Sequence, residues 1–146
     1  MTHPFVCSLP RRFIVSSDMV TWEEAKVRCS AAGLHLAKLR DMKEVREVLE
    51  VVWETLGATR DTLRFSDKNW VWVGGNDYNV EGLWEWLDSS LVNEDGYVWA
   101  DKAGNDNSVK KHHLGQDVLA LSKWGTIDDS YHIGKYRAYV CQCPEI

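Results

Sequence analysis

Four cysteines and a run of oxygen-bearing side chains are the parts of this sequence with definite chemistry. Cys7, Cys29, Cys141 and Cys143 allow three pairings, and spacing alone does not choose among them. Two lie near the start and two at the extreme end, so any pairing across the groups ties the ends of the chain together. Closing a loop of roughly 100 residues is worth on the order of 4–5 kcal/mol in the chain-entropy model. Cysteine used in this way suits an oxidising compartment. The competing uses are a metal site on Cys141-Gln142-Cys143 and four inert thiols; no second Cys-x-x-Cys or matched histidine spacing supports zinc. Between Asp88 and Gln116, Asn, Asp, Gly, Ser and Lys accumulate without periodicity. Acidic and amide side chains are ligands for hard cations, which leaves calcium open as a cofactor.

Other chemistries are poorly served. There is no nucleophile elbow, no glycine loop to cradle phosphate and no zinc spacing, so no enzymatic activity is expected. A formal net charge of -5 lacks the basic footprint of nucleic-acid binding. No apolar run approaches the roughly 20 residues that span a bilayer, and Met1 to Pro10 has no apolar signal core. A secreted form is expected to have lost its signal peptide ahead of this numbering. The sequence holds no Asn-x-Ser/Thr acceptor.

The elements that must position these groups can be read from periodicity. At 146 residues the expectation is one domain over 1–146. A strand-like run starts at Arg12 to Val15. Thr21 with Glu24 forms a capping box, Trp22, Ala25, Cys29 and Ala32 recur at helical spacing, and Gly33 ends a helix over about 22–32. Cys29 then lies on a buried face. The box-like pair Asp41 and Glu44 opens a second helix with Val45, Val48, Leu49, Val52, Trp53 and Leu56 apolar, closed by Gly57; Lys43, Glu47 and Glu50 form its solvated face. Trp70 to Val73 reads as a buried strand, Gly74-Gly75-Asn76-Asp77 as a turn, and Leu83 to Leu87, Val118 to Leu121, Trp124 to Ile127 and Ala138 to Cys143 as further strands. A long loop at about 88–116 is left over, and loops of that length are functional or disordered. The class is α+β: two helices, antiparallel strands and one long inserted loop. Tryptophans 70, 72, 84, 86 and 99 of the eight are assigned to the core.

Six segments in order resemble the C-type lectin-like family. They are Thr21-Trp22-Glu23-Glu24-Ala25 leading to Cys29, Leu36-Ala37-Lys38-Leu39, Trp72-Val73-Gly74-Gly75, Glu81-Gly82-Leu83-Trp84-Glu85-Trp86, Gly125-Thr126-Ile127-Asp128-Asp129, and Tyr139-Val140-Cys141. The resemblance runs from about residue 12 to 143. It implies a C-type lectin-like fold, Cys29 paired with Cys141, Cys7 paired with Cys143, and a ligand site in the long loop. It also implies a non-enzymatic, secreted or extracellular carbohydrate-recognition module, or part of a receptor, whose partners are glycans or glycoproteins. The alternative on the same scaffold is a calcium-independent protein-binding domain. Modest affinity per site makes multivalency, including homo-oligomers, an expected means to avidity.

In sugar-binding members a Glu-Pro-Asn or Gln-Pro-Asp triplet and an Asn-Asp pair chelate one calcium, whose shell the sugar hydroxyls complete. By that resemblance the triplet position here holds Asn105, Asp106 and Asn107, and the pair is Asp128 and Asp129. These residues are the expected metal ligands, and Asn105, Asn107, His113, Asp128 and Asp129 the expected ligand contacts. Tyr97, His112, Tyr131 and His132 are further aromatic groups able to stack on a pyranose. The bland readings are an Asx-rich turn at 105–107, a hairpin end at 128–129 and a solvated loop around His112 and His113. Two departures weigh against calcium. The triplet lacks proline, and a non-proline cis bond costs about 3–4 kcal/mol. Gly115 or Gln116 stands where a further acidic ligand is usual. The family's second loop disulfide is also missing, its positions being Asp117 and His132, so loop order must come from elsewhere, and a metal ion is one candidate.

Overall fold

The structure, a computed structural model, describes residues 7, 12–59, 67–80, 83–92, 96–99, 118–130 and 135–144. In chain order the elements are β1 (Phe13–Val20), α1 (Trp22–Ala31), β2 (His35–Leu36), α2 (Met42–Leu56), a 3-10 turn (Asp67–Asn69), β3 (Trp70–Asn76), β4 (Val98–Trp99), β5 (Val118–Ser122), β6 (Thr126–Ser130) and β7 (Arg137–Gln142). The class is α+β, as the resemblance implies. One sheet runs β1-β7-β3-β5-β6-β4, with β2 also on β7. It is mixed and not wholly antiparallel: β3 pairs β7 in parallel, as β4 does β6.

Alternation on these strands builds two cores. Val71, Val73, Leu119, Leu121 and Val140 pack with Val45, Val48, Leu49 and Val52 of α2. Their neighbours Trp70, Trp72, Val118, Ala120, Tyr139 and Cys141 pack with Trp22, Ala25 and Cys29 of α1. Side chains of successive strand residues point to opposite faces, so each central strand is covered by a different helix on each side. Trp70, Trp72, Trp84 and Trp86 are buried, as expected. The Trp22 indole donates to Val73 O and the Trp72 indole to Val20 O, both at 2.8 Å, which gives each buried N–H a partner.

The capping box of α1 is present in full. That of α2 is half-made: Asp41 accepts from Glu44 N at 3.0 Å, but Glu44 turns away to Arg40 and Arg12. Two guanidinium donors outcompete the return bond to the cap, because charge-assisted bonds are stronger than neutral ones. Glu47 also meets Arg12, at 3.2 Å, so that face of α2 is engaged and not merely solvated. Trp53, read as apolar-facing, is half-exposed, its indole donating to Lys123 O at 3.2 Å.

Burial by itself would raise the Glu44 carboxyl, but the hydrogen bonds from Arg40 and Arg12 outweigh it and hold Glu44 below its ordinary value. The unfolded chain therefore binds the proton more readily, and this stability is full above the ordinary glutamate value of 4.5 and is lost as pH falls through the folded one. Glu44→Gln is expected to cost about 1–2 kcal/mol at neutral pH, the arginines being partly exposed. The gap from wild type should close as melting is followed from pH 7 down to 3; a constant gap would mean that packing alone sets the loss.

The Gly74-Gly75 pair is strand and not turn. β3 continues to Asn76 because these glycines allow close approach. A Cβ on Gly74 would lie 2.9 Å from Leu36 O and 3.0 Å from Ala37 O, while Gly74 N donates to Ala37 O at 2.8 Å. Gly74→Ala is expected to destabilise by about 1–3 kcal/mol, read as a lower denaturant midpoint, because the obstacle is backbone. An unchanged midpoint would show that the 34–39 segment moves aside without cost. Two other strand readings change. Trp124 sits in the turn before β6, where Gly125 has φ +90, a conformation that glycine adopts without strain. Leu83 to Leu87 contributes only bridges, Glu85 meeting Asn76 and Leu91.

Cys29 is bonded to Cys141 and Cys7 to Cys143, the pairing the resemblance implies. No helix among the described residues is long and apolar enough to cross a membrane.

Candidate functional site

The site grows from the β5–β6 hairpin. Ser122 Oγ lies 2.6 Å from Thr126 Oγ1 and accepts from Trp124 N and Thr126 N, which fixes the turn. From there the register is set: Leu121 faces Ile127, Ala120 faces Asp128, and Leu119 faces Asp129. Directly opposed residues share a face of the sheet, so Asp128 is on the side packed by α1 and Asp129 on the side packed by α2. A hydrophobic ladder thus carries two carboxylates into buried positions, Asp128 at 8% and Asp129 at 4% exposure.

Their partners differ. Asp128 Oδ1 accepts from Asp129 N at 2.9 Å, the backbone bond that a hairpin aspartate commonly makes. Both oxygens of Asp129 are buried without a hydrogen-bond donor. Burial first, then the neighbouring Asp128 carboxylate, and more weakly Asp77, push the Asp129 carboxyl well above the usual range. Leaving a buried polar group unsatisfied costs about 1–3 kcal/mol, and more for a charge. An empty carboxylate in this setting calls for a proton or a cation.

Asp77 was read as a turn residue and missed as part of this pole. It follows β3, whose Asn76 pairs Val118, which in turn pairs Ser130, and it is 1% exposed. The signal available was its place just after a buried strand; Asp128 and Asp129 lie on β6, two strands away across β5. Among the described residues no cluster of three or more His, Cys, Asp or Glu is arranged to hold a metal ion. The aspartate pair by itself is not a metal site. The expected ligands Asn105, Asp106, Asn107 and His113 lie outside the described residues, as do His112, Gln116, Asp117, Tyr131 and His132.

Two other groups near the long segment are already committed. Lys38 Nζ donates to Asp88 at 2.8 Å, and with Ser90 it holds the Asp88 carboxyl below its usual range. Tyr97, named as a possible sugar-stacking group, is instead buried: its hydroxyl donates to Leu39 O, and burial with the nearby Asp41 and Glu44 carboxylates pushes it up to about 12. Its ring packs edge-on to Trp86 with centroids 6.5 Å apart, so it is core and not contact surface.

A family model described as the lectin C-type domain matches residues 18–143. The chain belongs to the C-type lectin domain family. A C-type lectin of Micrurus corallinus is 33% identical over 129 residues, covering 86% of this chain and 72% of that protein. The galactose-specific lectin nattectin of Thalassophryne nattereri is 27% identical over 114 residues, 78% of this chain and 64% of that protein. Lymphocyte antigen 75 of Mesocricetus auratus is 35% identical over 74 residues, 49% of this chain but 4% of that much longer protein. Among solved structures, the human scavenger receptor C-type lectin carbohydrate-recognition domain superposes with TM-score 0.69 at 18% identity, over 99% of this chain and 100% of that one. A calcium-independent type II antifreeze protein does so with TM-score 0.68 at 22% identity, over 100% of both chains. The latter two establish the fold alone. As a C-type lectin domain the chain is a binding module and not an enzyme.

Proposed function

We propose that this C-type lectin domain is an extracellular carbohydrate-recognition module that binds glycans with the help of calcium. The observation that carries the reading is Asp129: a buried carboxylate with both oxygens lacking donors, next to a second carboxylate, is costly unless a cation or proton compensates it. Asp128 and Asp129 would hold the ion from β6, with Asn105, Asp106 and Asn107 supplying side-chain oxygens from the long loop. Bound calcium supplies a positive centre with coordination positions left for vicinal sugar hydroxyls. His113 would flank the sugar. The whole of 1–146 acts as one domain, secreted or displayed on a receptor, and gains avidity through multiple copies. A calcium-independent protein-binding module is the second reading, favoured by the absence of proline from Asn105-Asp106-Asn107.

Thermal melting in millimolar calcium and in chelator separates the two. A ligand that binds only the folded state at 100 times its Kd adds about 2.7 kcal/mol. In a chain of this size each kcal/mol is worth about 2–4 °C, so the midpoint should rise by several degrees. Identical midpoints would leave the protein-binding reading. A glycan array in both conditions then tests for sugar, with retention expected in calcium and lost in chelator.

A further inference from the structure

We propose that the two disulfides have separate chemical roles: Cys29–Cys141 is a permanent part of the core, whereas Cys7–Cys143 is an exchangeable clip that a dithiol opens in the folded protein. Cys29 and Cys141 are both 0% exposed, packed among Trp22, Leu36 and Tyr139. No thiolate reaches those sulfurs until the core opens. Cys7 is exposed, and its bond runs to Cys143, which sits just beyond the end of β7 at the margin of the same core with 7% exposure, so the Cys7 sulfur is the open side of the bond. Thiol–disulfide exchange requires approach of a thiolate to one sulfur, so access governs which bond reacts.

The surroundings of the clip show why its opening leaves the sheet standing. Past Cys7 the chain is fastened independently at Arg12, whose carbonyl accepts from Cys143 N at 2.8 Å. The Arg12 guanidinium reaches Glu44 at 2.8 Å and Glu47 at 3.2 Å. β1 begins at the next residue and is paired with β7 from Phe13 to Ser16 and again at Val20. Nothing in that register depends on the sulfur bridge outside it.

The chemistry balances with a dithiol as reductant. One thiolate attacks the Cys7 sulfur, the S–S bond breaks, and Cys143 leaves as a thiolate and takes a proton. The second thiol of the reductant then attacks the mixed disulfide, releases the Cys7 thiol and closes its own disulfide. The dithiol is oxidised by two electrons and the clip is reduced by two.

The test is exposure of the native full chain to dithiothreitol, followed by alkylation of free thiols and peptide mass mapping. Cys7 and Cys143 should be alkylated at least about tenfold faster than Cys29 and Cys141, which is the mark of access control. The singly reduced protein should still melt in one cooperative transition, at a lower midpoint. Alkylation of all four at one rate would overturn the proposal, since both bonds would then open only by global unfolding. So would four unmodified cysteines in native protein after a time that reduces denatured protein fully. The variant Cys7→Ser/Cys143→Ser keeps the second arm open: it should fold and leave Cys29 and Cys141 unmodified under the same dithiol, and their rapid alkylation would show the clip to be part of the core.

Discussion

Asp129→Asn is expected to raise the melting temperature of the calcium-free protein and to abolish the increment that calcium gives. The two side chains have nearly the same shape, so packing beside Leu119 is kept. The amide is neutral at every pH, so the position, at 4% exposure, no longer has to take up a proton or bear a charge without a donor. Relief of such a group is worth about 1–3 kcal/mol. The sign follows from linkage. The Asp129 carboxyl is raised above its ordinary 3.8, so the folded state holds a proton that the unfolded state has released. Wild-type stability without calcium therefore falls as pH rises from 3.8 toward the folded value, and the Asn variant should lack that decline. Asp128→Ala offers a control that also removes a metal oxygen, but it loses the bond from Asp129 N and should not gain stability in chelator. Melting of the three proteins at pH 5 and 8, in calcium and in chelator, gives the result. An Asn variant that melts lower in chelator and still responds to calcium would mean that Asp129 is satisfied in the folded protein and that the cation sits elsewhere.

The same residue shows what sequence can and cannot carry. Helix α1 was readable because each of its signals is local: Thr21 and Glu24 cap it, and Gly33, with φ +77, ends it. The strands of the two cores were mostly readable because alternation of Val and Trp is local too. Gly74 and Gly75 misled because a glycine pair has two physical uses, the reversal of a turn and the close approach of another backbone, and only the neighbour at Leu36 and Ala37 decides between them. Glu44 misled for a partly similar reason: Arg40, four residues before it, is a local partner, but Arg12, which also takes the carboxylate, is 32 residues away and no local rule announces it. Tyr97 looked like a contact because an aromatic face can stack on a pyranose, yet Leu39 O, 58 residues earlier, draws it inward. At the site, the Asp128-Asp129 pair was found through its resemblance to a family pattern, and its burial was not legible from two acidic letters. That burial comes from register with Leu119 and Ala120, a long-range property of the sheet. Asp77 went unseen for the same cause.

Removal of the inner disulfide is the second change with a large expected effect. The bonds Cys29–Cys141 and Cys7–Cys143 span 112 and 136 residues, and taken singly each closes a long loop worth about 4–5 kcal/mol in the chain-entropy model. They are not independent. With either bond in place, the other closes only the ring through residues 7 to 29 and 141 to 143, roughly two dozen residues, worth about 3–3.5 kcal/mol in that model. The unfolded-state contribution is therefore the same for both, and any difference between their losses must come from the folded state. Cys29→Ala/Cys141→Ala empties two positions at 0% exposure beside Trp22 and Tyr139, so cavity formation adds to the entropic loss and the total should reach about 5 kcal/mol. That is comparable to the whole stability of many domains, and the variant is expected to sit at the edge of folding at 37 °C. Cys7→Ser/Cys143→Ser replaces one exposed and one buried sulfur by a hydroxyl of similar size, opens a smaller hole, and should lose little beyond the roughly 3–3.5 kcal/mol of chain entropy. Denaturant unfolding of both double variants tests the difference. Equal losses would show that burial of the inner sulfurs adds nothing beyond chain entropy, and would remove the physical ground for treating one bond as core and the other as clip.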